Sequence, residues 1–223
     1  DDRLRRQVQG HVEQASVLEQ VDAGTLSLDQ ELVLAQSDFV DGSGDMLSFE
    51  PGARFTIAAL LEKSLRDSDS TATDMLIRAV GEDHLNRRIR DWAGPGFGPV
   101  TTILQVRYDA YGPVHPGVAD LDNMAIVGLR NAPAGEERLV ALARALGVPR
   151  SALKAESLEA VFDAYYRGDR NQATLPAFAT LLERLAAGEL LSADSTARML
   201  EHMRGISTGD RRLSAGLPPG TDF

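Results

Sequence analysis

Ser68-Asp69-Ser70-Thr71-Ala72 stands between two segments of helical apolar periodicity, and the reading of this short polar stretch decides the fold. Before it, Ile57, Leu60, Leu61 and Leu65 recur at three- and four-residue steps, behind a Thr56 whose hydroxyl suits the first free N–H groups of a helix. After it, a second helix is expected over Thr71–Val80, ended by Gly81. Two helices meeting at a polar corner need no function, because Asp69 or Ser70 can accept from the first turn of the helix that follows. The rest of the chain must decide between a corner and a site.

Outward from the corner the pattern stays helical. Leu4, Val8, Val12, Ala15, Leu18 and Val21 predict one helix over 4–22 with Gly24 as its cap. Residues 25–54 are mixed, with Gly42, Gly44, Pro51 and Gly52 marking loop, and a charged helix follows over 82–92. The glycines and prolines of 94–117 predict a long loop with a short strand at Thr101–Val106. Helices are expected over 119–130, 134–146 and 155–167. Another opens at Thr174 with Pro176 and buries Leu175, Phe178, Leu181, Leu182 and Leu185, and a last one runs from Ser192 to Gly205. The expectation is a mainly α chain, one domain over 1–223, carrying a loop-rich insertion at 94–135.

Composition removes several classes of function. With 223 residues, 43% of them hydrophobic, the chain can bury a core, and no run of eighteen apolar residues suits a membrane span. The stretch Asp1-Asp2-Arg3-Leu4-Arg5-Arg6 has no apolar signal core. A net charge of −10 without a basic block disfavours a nucleic-acid partner. There is no cysteine, and Lys63 and Lys154 are the only lysines, so a lysine-dependent mechanism has two candidates. Asp120-Leu121-Asp122-Asn123 lacks the glycine and terminal glutamate of a calcium loop, and His11, His84, His115 and His202 have no ligand spacing. Gly94-Pro95-Gly96-Phe97-Gly98 does not sit at the strand-to-helix junction of a phosphate loop. No metal or cofactor is expected.

Several separate segments, in order, resemble the helical domain of class A β-lactamase-type serine hydrolases. Phe55–Leu76 resembles the stretch around that family's Ser-Asp-Asn motif, and Val21-Asp22-Ala23-Gly24-Thr25-Leu26 the end of its nucleophile helix. Gly188-Glu189-Leu190-Leu191-Ser192, Thr208-Gly209-Asp210-Arg211-Arg212 and Gly216-Leu217-Pro218-Pro219-Gly220 resemble the approach to its third strand. The resemblance implies the helical domain of the β-lactamase and DD-peptidase-like α/β fold, with the companion antiparallel sheet largely absent here. It implies acyl transfer to a serine and hydrolysis of a β-lactam or peptide-like amide, in a periplasmic or secreted bacterial protein.

On that resemblance Ser68 relays a proton to the leaving nitrogen, Asp69 holds the turn, and Ser70 takes the place of the substrate-binding asparagine. Arg212 and Thr208 would contact a substrate carboxylate, and Glu156 and Glu159 are the acids nearest the position of the deacylating base. Two elements are missing. Counted back from Val21-Asp22-Ala23-Gly24, the nucleophile and lysine positions fall on Gln7 and Gly10, and neither residue can do that chemistry. The Lys-Thr-Gly strand is expected just beyond Phe223, so loss or truncation of the site is the expectation. Ser151-Ala152-Leu153-Lys154 has the Ser-x-x-Lys spacing, but it follows the Ser-Asp-Ser turn instead of preceding it. Two readings stand at this point: a hydrolase whose present chain is inactive, and a binding module that kept the fold without the chemistry.

Overall fold

The computed structural model describes residues 2–206, with side chains from residue 10 onward. It is built around one central helix, α1 (Asp2–Asp22), which packs against α2 (Ile57–Arg66), α3 (Ser70–Val80), α4 (Glu82–Ala93) and α10 (Ala193–Arg204). The apolar periodicity predicts one buried stripe on α1, yet every residue from Gly10 to Leu18 is buried. Glu13, Gln14 and Ser16 are therefore interior residues, each 0% exposed, because neighbouring helices surround α1 on all sides. Gly24, at φ +72°, ends the helix region.

The predicted caps position α2 and α10. Thr56 Oγ1 accepts from the Ala59 amide at 3.2 Å, and Ile57, Leu60, Leu61 and Leu65 form the buried stripe of α2. Ser192 caps α10 and donates through Oγ to Asp22 at 2.7 Å, which pins the start of α10 to the end of α1. Two three-residue strands, β1 (Glu31–Val33) and β2 (Arg54–Thr56), pair antiparallel and are the only strands among the described residues. The core of this first body runs through Leu18, Leu34, Met46, Leu60, Leu61, Met75, Leu76, Ile77, Leu85 and Trp92.

The region after α4 departs from expectation. In place of a strand at Thr101–Val106, α5 spans Ile103–Tyr111. Thr-Thr-Ile favours extended backbone locally, but Thr102 accepts from the Gln105 amide, and the Asp74 carboxylate of α3 accepts from the Ile103 and Leu104 amides at 2.6 and 2.8 Å. Gly112, Pro113, Pro116 and Gly117, which read as loop, sit in 3₁₀ turns, Gly112–Val114 and Pro116–Asp120, while 94–100 is loop as expected. Short α6 (Asn123–Gly128), α7 (Glu136–Ala145) and α8 (Leu158–Tyr166) follow, each shorter than predicted, with Asp122 capping α6 and Ser157 capping α8. They enclose a second core of Tyr111, Val118, Ile126, Leu129, Leu139, Leu142, Leu158 and Val161.

The two ends of this excursion are tied together. The Gly98 amide donates to the Gln172 carbonyl, Asn171 to Pro99 and Thr174 to Gly96, at 2.8–2.9 Å. A Cβ on Gly98 would fall 1.6 Å from the Asp169 carbonyl oxygen, so only glycine allows the approach. α9 (Leu175–Ala186) then returns to α4 and α10. Ala177, Leu181 and Leu185 form its buried stripe; Leu175, expected there, is 81% exposed because it occupies the first position after the Thr174 cap.

Candidate functional site

The corner between α2 and α3 is fixed from four directions. Asp69 is its anchor: 1% exposed, it accepts from the Ala72 amide through Oδ1 at 3.0 Å and from the Met46 amide through Oδ2 at 2.9 Å. Its own amide donates to the Lys63 carbonyl at 3.0 Å. The Ser70 amide donates to the Ser43 carbonyl at 3.2 Å, so the loop 40–46 runs alongside the corner. Burial raises the Asp69 carboxyl above its usual range; the Ala72 and Met46 amides oppose that shift, and nearby Asp45 reinforces it.

Ser68 sits on this anchored backbone at φ +53°, a left-handed conformation that a non-glycine residue rarely holds. It precedes the cap instead of serving as one, and it is half-buried. Ser70 opens α3, is 1% exposed, and its Oγ is buried with no hydrogen-bond partner. The corner thus presents one accessible serine and one enclosed serine on either side of a carboxylate held by backbone amides.

A polar file runs beneath it. Thr73 Oγ1 donates to the Asp69 carbonyl at 3.0 Å and lies 2.8 Å from Ser64 Oγ, which is 2.9 Å from Glu13 Oε2 of α1. One residue on from Thr73, Asp74 is fully enclosed, and burial pushes its carboxyl up to about 7 against the Ile103 and Leu104 amides and the Arg107 guanidinium. Arg107 of α5 pairs with Asp41 at 2.6 Å, both largely buried, closing the loop 40–46 against α5.

These groups were not singled out in the sequence. Glu13, Asp74 and Arg107 look like ordinary charges on amphipathic helices. The one available signal was the polar run Thr71-Ala72-Thr73-Asp74 on a helix whose neighbours leave it no solvent face.

Among the described residues, the other expected site residues are not gathered at the corner. Glu156 lies before α8, not on it, and Glu159 lies in the first turn of α8; both are exposed. α8 packs on α5 and α7 in the second core, whereas Ser68 belongs to the first. Ser151 and Lys154 are exposed, with Ser151 on a 3₁₀ turn after Pro149. Lys63 is near the corner, but its ammonium is held by Asp45 at 2.6 Å and lies over the Phe49 ring. Gly10 is buried against Leu65. Arg212 and Thr208 lie outside the described residues. A cavity of about 260 Å³ opens between α5 and the segment after α8, lined by Asp109, Tyr165, Gly168, Asp169 and Arg170, and an Asp109–Arg170 ion pair spans it.

Comparison with known proteins bears on the family and the fold. The family described as the beta-lactamase enzyme family matches over residues 14–106 and 118–223. A beta-lactamase from Citrobacter koseri is 30% identical over 100 residues, 44% of this chain and 33% of that protein. Among solved structures, a beta-lactamase from Chitinophaga pinensis superposes with a TM-score of 0.63 at 18% identity, covering 96% of this chain and 60% of the other. A mutant of PBP-A, solved as an acyl-enzyme complex with penicillin G, gives 0.60 at 18% identity over 97% and 59%. The chain therefore spans one third of the curated relative and about three fifths of these solved structures.

Proposed function

This chain belongs to the beta-lactamase enzyme family, and from that premise we propose that the Ser68 corner is the proton-relay side of an acyl-transfer site for a β-lactam or related amide. The family chemistry is attack on the amide carbonyl by a serine, then hydrolysis of the acyl-enzyme. In this reading the Ser68 hydroxyl passes a proton to the leaving nitrogen. Asp69 keeps the corner rigid. Ser70 has one polar atom where the family has a carboxamide, and that atom is enclosed, which weakens orientation of the substrate. Arg212 and Thr208 would bind the substrate carboxylate, and Glu156 or Glu159 would be the deacylating base only if the excursion brought α8 to the corner.

The observation that supports the reading best is the corner itself: a left-handed Ser68 beside a carboxylate buried and fully engaged by backbone amides. Strain of about 1–3 kcal/mol at a non-glycine residue is retained where surrounding bonds enforce it, and such positions cluster at functional sites. The family placement makes the chain β-lactamase-like; hydrolase activity of its own is the finer proposal. With Gln7 and Gly10 at the nucleophile and lysine positions, the 223-residue chain forms no acyl-enzyme. That same pair of residues favours the second reading, a binding module that retains the cleft without its chemistry.

Intact mass after incubation with benzylpenicillin, combined with amide resonances of 68–72, separates these. Unchanged mass with Ser68-dependent resonance shifts is the expected result. A covalent adduct overturns the inactivity, and no shift at any ligand concentration overturns the site.

A further inference from the structure

The polar file under the corner imposes a proton count. Glu13 Oε2 to Ser64 Oγ, Ser64 Oγ to Thr73 Oγ1, and Thr73 Oγ1 to the Asp69 carbonyl are three successive oxygen–oxygen contacts of 2.9, 2.8 and 3.0 Å. Each needs one hydrogen between its oxygens. The two hydroxyls supply two, and a carbonyl supplies none. With Glu13 ionised, one of the three contacts is a pair of oxygens facing each other without a proton. A single order satisfies all three: the Glu13 carboxyl O–H donates to Ser64, Ser64 donates to Thr73, and Thr73 donates to the Asp69 carbonyl.

We propose that Glu13 is a protonated carboxylic acid acting as a positioning residue, holding the Ser68-Asp69-Ser70 turn to α1 through this one-way chain of hydroxyls. Its surroundings agree. Glu13 is 0% exposed and its Oε1 has no partner, which a neutral carbonyl tolerates far better than a carboxylate. Burial drives its pKa well above the usual carboxyl range, more than the Ser64 bond opposes.

The charged group acting on Glu13 is Asp74 of α3, which has the same sign and discourages ionisation further. On α2, Lys63 is engaged with Asp45, and Glu62 pairs with Arg66. On α4, Arg88 is engaged with Glu19, further along α1, and His84 Nε2 lies 3.5 Å from the same carboxylate; His202 of α10 lies 3.3 Å from the side chain of Gln14.

Ionising Glu13 would reverse the chain. Ser64 would then have to donate to the carboxylate, and Thr73 would hold one proton for both Ser64 and the Asp69 carbonyl. One of the three contacts would then lose its hydrogen, and the side-chain link between α1 and the turn would weaken, although the Asp69 carbonyl keeps the Thr73 backbone amide at 3.0 Å. Protonation of Glu13 does not depend on what the turn does; only its bearing on Ser68 rests on the functional reading above.

Infrared difference spectroscopy on the full chain at neutral pH tests the protonation. The carbonyl-stretch band of a neutral carboxyl is expected in the wild type and in Asp74→Asn, and adding Glu13→Gln to Asp74→Asn is expected to remove it; in Glu13→Gln alone Asp74, titrating near 7, leaves a band of its own. Its absence from the wild-type minus Glu13→Gln spectrum overturns the proposal.

Amide exchange tests the positioning. Glu13→Gln keeps a donor to Ser64, so exchange at Ala72 and Met46 stays within about twofold of wild type. Thr73→Val, which breaks the chain without touching Glu13, accelerates both amides about tenfold or more, and so does Glu13→Ala if it folds. Unchanged exchange in Thr73→Val overturns the positioning role. Neither readout involves a β-lactam, so this proposal and the functional one can fail separately.

Discussion

Asp69 is held in a seat that only glycine at position 44 leaves open. A Cβ on Gly44 would lie 1.8 Å from Asp69 Oδ2, and Gly44 has φ +93°. Gly52 has nearly the same φ, +96°, but a Cβ there meets nothing within 4 Å. The pair separates backbone strain from collision. Gly52→Ala is expected to cost about 1–3 kcal/mol, the cost of a side chain at an unfavourable positive φ. Gly44→Ala carries the same strain and displaces the carboxylate from the Ala72 and Met46 amides, adding about 1–3 kcal/mol for each amide left unpaired. Urea denaturation midpoints check this, and equal losses in the two variants would mean that Asp69 relaxes without losing its bonds. Asp69→Asn should show a milder form of the Gly44 defect, since its amide nitrogen cannot accept from the second N–H.

At the scale of elements, local sequence signals sufficed where a helix makes its own ends. Thr56, Thr174 and Ser192 cap the helices they were expected to cap, and Gly24, Gly81 and Gly188 follow helices with positive φ. They failed where the end is made by a distant residue. α5 begins under a carboxylate 29 residues earlier in the chain, and no window over Thr101–Val106 contains that information. The same limit hid Glu13: periodicity finds the apolar stripe of α1 but cannot tell that its polar side is also enclosed.

Asp74 also makes this junction pH-dependent. Its carboxyl titrates near 7 in the folded chain and near 3.9 when unfolded, so between those values the folded state holds more protons. Stability contributed by the protonated group is intact below about pH 3.9 and is lost as pH rises toward 7, by up to about 1.4 kcal/mol per pH unit. Asp74→Asn should flatten the fall in thermal midpoint from pH 4 to 7 while lowering the acid plateau, because one N–H of α5 loses its acceptor. Glu13, shifted in the same direction, leaves a residual slope in that variant. A slope unchanged in Asp74→Asn would show that Asp74 titrates normally.

The whole molecule is two cores joined at a neck. The first is centred on α1 to α4 and includes Val100; the second begins at Tyr111 and runs to Val161. Between them stand α5, which packs on both α3 and α8, and the paired segments 96–101 and 171–174, where the Asn171 side chain accepts from the Thr101 amide at 2.9 Å. Such an arrangement opens in parts, since each core excludes water on its own and few apolar side chains are shared. Leu142, 0% exposed in the second core, and Leu61, 0% exposed in the first, offer a matched comparison. Each change to alanine should cost about 2–5 kcal/mol locally. For Leu142→Ala, native-state hydrogen exchange should accelerate across α6, α7 and α8 while α1 to α3 keep wild-type protection. For Leu61→Ala it should accelerate throughout, because α5, the neck and α6, whose Val127 lies in the first core and whose Asn123 side chain donates to the Gln36 and Phe39 carbonyls, lose their foundation when α2 and α3 loosen. Uniform acceleration in Leu142→Ala would instead make the chain one cooperative unit, with the neck as stiff as either core. The distinction bears on the corner: if the second core opens alone, Arg107 leaves Asp41, and the loop that carries Met46 loses its clamp while the carboxylate of Asp69 stays in place.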